Sequence, residues 1–170
     1  MPKLFNQYGI PITIGVPIKL LVPSGLLVGT LDLIGAIIHR ALVTHKNPVS
    51  SILTYIASGL FGSEARTGGS TMIAAGIIIH YSIAMTFTIF FFWILSNTPF
   101  RFNNWVLNGI GIGGMIWLVM NYMVLPLSNI PKLPDPDIKS IMVSNFILIT
   151  SIGCPIAYIY SRWESKHPTA

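Results

Sequence analysis

Apolar residues in this chain fall into four long, nearly unbroken runs, and the polar residues collect between them. The runs cover about residues 20–43, 70–95, 104–125 and 140–160. Each has the length of about 20 residues that a helix needs to cross a hydrocarbon core of about 30 Å at 1.5 Å per residue. They are continuously apolar rather than alternating, which favours helices over barrel strands. A helix also satisfies its own backbone polar groups where no water is present. The expected fold class is all-α, an integral membrane bundle of four transmembrane helices in a single domain over residues 1–170. The punctuation agrees. Pro23 falls in the first turn of the first run, where a missing N–H costs little. The second run stops before Asn97-Thr98-Pro99, Pro126 closes the third, and Arg162-Trp163-Glu164 follows the fourth.

A shorter pattern lies between the first two runs. Asn47 followed by Pro48 marks a helix start. Ile52, Tyr55, Ile56, Gly59 and Leu60 then recur at helical spacing, with Ser50, Ser51, Thr54 and Ser58 off that face. This predicts a short interfacial amphipathic helix over about residues 48–62. The connection 126–139 contains four prolines and reads as an extended loop. The stretch from Tyr8 to Ile18 is broken by Pro11 and Pro17 and lacks a small-residue cleavage site. It is expected to stay on the protein as an interfacial lead-in rather than act as a signal peptide.

Composition makes the solvent explicit. Of 170 residues, 52% are hydrophobic and only 9% charged, against about 25% charged in a soluble domain. Mean hydropathy is +0.70. So few charges cannot cover a water-facing surface. The net charge of +5 comes from cations standing singly at the run edges, such as Lys19, Arg40 and Arg66. These suit headgroup anchors, and without a basic cluster interleaved with aromatics no nucleic-acid partner is expected. Five Lys and Arg fall on each face, so the positive-inside comparison is tied; the working expectation is cytoplasmic termini. Cys154, the one cysteine, reads as a small packing residue.

Candidate chemistry sits where lipid tolerates it least. Asp32 lies well inside the first run, where a carboxylate costs about 2.5–3.5 kcal/mol and so should face protein or water. Its helical face reads Gly25, Gly29, Asp32, Ala36 and His39. His80 sits on a similar stripe, Gly69, Ile73, Gly76, His80 and Ala84. Counted from the face the two helices share, Asp32 is at a depth of about 12 Å and His80 at about 15 Å. A polar core of Asp32, His80 and Asn121 is therefore expected, the last on a face with Gly111, Gly114 and Leu118. His39, Asn145 and Thr150 are secondary candidates, and Pro155 frees a carbonyl that Ser151 or water would satisfy. Gly25, Gly29, Gly76, Gly109 and Gly113 are expected to let helices approach closely.

Two readings of the acid and the histidine stay open. They form an interhelical hydrogen bond that fixes register, or they handle a proton or substrate. For Asn121, Asn145 and Thr150 the plainer role is joining helices. No H-x-x-x-H or C-x-x-C spacing occurs, and His39 and His80 differ in depth, so neither metal nor haem nor any other cofactor is expected. The glycines between Gly109 and Gly114 lack the strand context of a phosphate loop. Only Ser24, Thr30 and Ser82 offer hydroxyls within reach of the pair, so an enzyme is not expected.

Gly25-Leu-Leu-Val-Gly29-Thr-Leu-Asp32, Tyr55-Ile-Ala-Ser-Gly59-Leu-Phe-Gly62 with Gly68-Gly69, Gly76 with His80 and Ala84, and Asn121 through Leu127 carry a resemblance. Across about residues 22–160 the chain resembles the small four-helix, YagU-like bacterial inner-membrane proteins of unassigned function. The resemblance implies an inner (cytoplasmic) membrane location and a part in acid tolerance, and supplies no catalytic residue. The expected function is a small non-enzymatic membrane component, structural, accessory or proton-responsive. It would sit among membrane lipids as a homo-oligomer or as a subunit of a larger complex. The alternative is a small transporter or channel in which Asp32 titrates, working as an oligomer because one bundle this small has little room for alternating access.

Overall fold

The computed structural model describes residues 16–43, 47–98, 102–130 and 137–167. The N-terminal lead-in up to residue 15, and residues 131–136 of the proline-rich connection, lie outside the described residues. The fold is all-α. Helix α1 is Ile18–Val43, α2 is Pro48–Phe61, and a 3-10 turn, Gly62–Arg66, leads to α3, Gly69–Asn97. Helices α4, Trp105–Leu127, and α5, Ile138–Glu164, complete the set. Four of these, all except α2, are long and apolar enough to cross a membrane, which makes the chain a small multi-pass membrane protein. Large apolar side chains such as Ile18, Leu42, Ile78, Met142 and Phe146 point outward, as a lipid solvent requires.

Two of the proline boundaries read from the sequence move. The Pro17 carbonyl accepts from the Leu20 and Leu21 N–H groups, so α1 starts directly after it. Pro23 consequently sits in the second turn rather than the first. Pro126 lies inside the last turn of α4 instead of closing the helix, and Pro155 lies inside α5. Both follow a widened π turn, Met120–Val124 in α4 and Ile149–Gly153 in α5. A proline has no N–H to give the carbonyl four residues back. In both helices the residue just before the proline instead donates five residues back, Leu125 to Met120 and Cys154 to Ile149. The wider turn lets each helix run through its proline.

Small residues set the packing. Gly25 lies against Met85, and Gly29 against Tyr81 and Ala84, which fixes α1 antiparallel to α3. Gly109 lies against Cys154 and Gly113 against Ile149, while Gly153 touches the Gly109 carbonyl, so α4 and α5 meet backbone to backbone. Gly35 brings α1 onto Ile147 and Ser151 of α5, a contact the stripes did not single out. Gly111 and Gly114 face open space, so the stripe they share with Asn121 is not a packing face.

Helix α2 begins as its sequence suggests, with the Asn47 side chain accepting from the Ser50 N–H at 3.4 Å. Its buried side differs from the apolar stripe. Leu53 and Ala57 are buried, because Gly76 of α3 admits the Leu53 backbone. The Ile52–Tyr55–Ile56–Gly59 side looks into a hollow in the bundle. The far end of α2 is tied to the end of α4 by Asn129, whose N–H bonds Gly59 O and whose Nδ2 bonds Leu60 O, each at 2.9 Å.

The apolar core occupies the half of the bundle away from α2. Val28, Phe91, Phe92, Ile116, Ile152 and Ile156 are its centre. None is more than 5% exposed.

Candidate functional site

Above that core the four spanning helices enclose a cavity of about 660 Å³, with α2 forming one side. The volume is that of a site for a small organic ligand. Asp32, His80, Ile116 and Ile152 line its inner end, next to the core. Asn121 and Ser144 are on the walls, and His39, Arg40, Tyr55 and Ser140 lie towards the α2 end.

His80 is positioned by α3 at the level of Gly29. Its Nε2 is 2.8 Å from the Gly29 carbonyl oxygen. A carbonyl only accepts, so Nε2 carries a proton and donates it to Gly29. Gly29 precedes Asp32 by three residues, so the imidazole is fastened to the turn of α1 that bears the acid. Its hydrogen bond goes to the backbone rather than to the carboxylate. Asp32 is half-buried and is the only carboxylate among the described residues lining the cavity. Next to them lies a second interhelical bond, which the sequence reading missed. Thr30 Oγ1 donates to the Leu26 carbonyl at 2.8 Å, so the Tyr81 phenol donates to Thr30 Oγ1, also at 2.8 Å. The Tyr81 ring meets His80 edge-on at 5.5 Å.

Asn121 stands at the start of the π turn of α4, where its Nδ2 takes the Trp117 carbonyl at 2.9 Å. Arg40 reaches across from α1 to α2, donating from Nη2 to Ser51 Oγ at 3.2 Å. Burial pushes the Tyr55 phenol above its ordinary value of 10.0, the nearby Arg40 guanidinium pulling it back by less. The phenol therefore keeps its proton at neutral pH.

Two secondary candidates do not join this group. Asn145 Nδ2 bonds the Ile141 carbonyl of its own helix at 3.2 Å. Thr150 is exposed, and its hydroxyl bonds the Phe146 carbonyl at 2.8 Å. Neither lines the cavity; Ser144, the neighbour of Asn145, and Ser140 one turn earlier supply the polar part of the α5 wall. The hydroxyls expected within reach of the pair are likewise turned back on their own helices. Ser24 bonds Leu20 O at 2.7 Å and Ser82 bonds Ile78 O at 2.8 Å. Such back-bonding satisfies a hydroxyl where lipid cannot. Among the described residues no fully buried side-chain nitrogen or oxygen lacks a partner, and no three metal-ligating side chains come together.

The arrangement can hold an apolar body between helices, with an acid and an imidazole at its inner end and a cation near its mouth. No family model, no curated protein and no solved structure matches this chain.

Proposed function

We propose that the protein is a non-enzymatic, proton-responsive membrane component that takes an apolar or amphipathic ligand into the cavity above Asp32 and His80. The observation that supports this reading most is the position of the pair: both side chains line a roomy cavity rather than a dry helix seam. Ionisable groups at such depth respond to whatever fills the space beside them. Among the described residues, the charged or titratable groups sharing the cavity wall with Asp32 are His39 and Arg40 of α1, Tyr55 of α2 and His80 of α3; α4 and α5 contribute uncharged polar groups such as Asn121 and Ser144. The resemblance to YagU-like proteins, with its implied inner-membrane location and acid tolerance, is in keeping. Cytoplasmic termini would turn the α2 end outward, towards the acid.

A second reading draws on the closed inner end. The cavity stops against the core near Ile116 and Ile152, as expected for one side of a transporter cycle rather than an open pore. Trp117 lines the cavity and serves as a reporter once Trp93, Trp105 and Trp163 are changed to Phe. In detergent its fluorescence should change with pH, and Asp32→Asn should abolish the change while helical circular dichroism is kept. An unchanged titration in Asp32→Asn would overturn the reading. Proton flux in proteoliposomes that Asp32→Asn abolishes would favour the transporter.

A further inference from the structure

A second, more polar cavity of about 450 Å³ adjoins the first and shares Arg40, Ile52 and Tyr55 with it. Its remaining lining is Arg66, Ser51, Thr54 and Ser58. Two guanidinium groups thus reach it from separate elements, the last turn of α1 and the 3-10 turn before α3. Among the described residues no carboxylate lines it; Glu64, two residues before Arg66, is not on its wall. Guanidinium forks match phosphate oxygens in geometry and stay charged at any relevant pH. Ser51 Oγ accepts from Arg40, which leaves its own proton to donate, and the Tyr55 phenol keeps its proton. Thr54 and Ser58 give their protons to Ser50 O and Tyr55 O, so they act as polar wall rather than as donors.

Position completes the argument. The dibasic pocket lies at the end of a membrane-length helix, where the headgroup layer is expected, and the apolar cavity leads inward from it. A free anion would need the pocket alone, and a neutral amphiphile the cavity alone. We propose that the two cavities form one site for an anionic phospholipid, its phosphate between Arg40 and Arg66 and an acyl chain running inward towards Asp32 and His80. This rests on the reading above that the larger cavity is a ligand site.

The Trp117-only chain in non-ionic detergent tests it with three probes: dioctanoyl phosphatidic acid, dioctanoylglycerol and inorganic phosphate. Phosphatidic acid should change Trp117 fluorescence saturably. Arg66→Gln, a substitution on an exposed turn, should weaken that binding about tenfold, as should Arg40→Gln. Dioctanoylglycerol should bind more weakly and ignore both substitutions. Inorganic phosphate should displace the lipid only at far higher concentration. If Arg66→Gln leaves phosphatidic acid binding unchanged, or the neutral lipid binds equally well, the phosphate site is wrong and the cavity reading stands. Displacement by equimolar inorganic phosphate would assign the pocket to a soluble anion and overturn the lipid. If neither lipid reaches Trp117, the cavity reading falls as well.

Discussion

The two halves of the bundle are made from the same four spanning helices and end in opposite states. Near the start of α1 the helices are filled by Phe91, Phe92, Ile112, Ile156 and Tyr160, with α4 and α5 in backbone contact at Gly109 and Gly153. Near α2 they stand around an opening lined by Asp32, His80, Asn121 and Arg40. Lipid is as apolar as either half, so burial from water does not separate them; packing and interhelical hydrogen bonds do. In the filled half glycine and aromatic rings interlock. In the hollow half the α1–α3 seam is held by side chain to backbone at His80 and Gly29, and by Tyr81 to Thr30. One half is built to stay shut, while the other leaves groups for a ligand to meet.

The sharpest way to break this contrast is at the glycine step. In Gly153→Val the new side chain would run into the Gly109 backbone. A loss of about 4 kcal/mol or more is expected, read as failure to recover folded protein from detergent. Next comes a matched pair of aromatic truncations. Phe92 is fully buried in the filled half, whereas Phe87 lines the cavity. Phe92→Ala should cost about 3 kcal/mol and Phe87→Ala, half-buried and stacked on Phe91, about half as much, measured by thermal unfolding in one detergent. Equal losses would show that the opening is not a standing feature of the fold. Smaller, and opposite in sign, is Gly111→Ala. A methyl group there meets nothing within 4 Å, so removing glycine from a helix interior should stabilise by about 0.5–1 kcal/mol. The smallest effect belongs at the rim of the hollow half, where Asp137 caps α5 by accepting from the Ser140 N–H at 3.0 Å. Its hydrogen bonds to Ser140 hold its carboxyl below the ordinary 3.8. A depressed carboxylate stabilises above its unfolded value, and the contribution is lost as pH falls through the folded value. Asp137→Ala should therefore lower Tm slightly at neutral pH, and the gap from the parent should close below about pH 4.

Much of this was readable from residue order. Twenty-residue apolar runs leave lipid and helices as the one consistent answer, and counting rise per residue put Asp32 and His80 at one level before any contact was known. Glycine stripes carried less. Gly29 and Gly111 look alike as letters, yet one abuts Ala84 and the other faces open space, because a stripe does not say which neighbour fills it. The docking side of α2 was hidden for a related reason. Its most apolar stripe was visible, but what buried Leu53 instead was a glycine in another helix, Gly76. Asn145 and Thr150 look like polar-core residues until each is seen to bond its own helix, a solution open to any short polar side chain. Arg40 and Arg66 read as isolated surface anchors, and only the fold brings them to one pocket.

The widened turns of α4 and α5 carry a consequence for how the opening is encoded. Each holds one surplus residue relative to a regular helix, and a residue is worth about 100° of rotation. The segment of α5 that shows Ser144 to the cavity and the segment that sends Ile156 into the core are thus out of phase by one step. Deleting Thr150 would change no cavity side chain, yet it would swing one segment's face around the helix axis relative to the other. The hollow is written partly in residue count, a quantity that no single substitution alters and a one-codon deletion does.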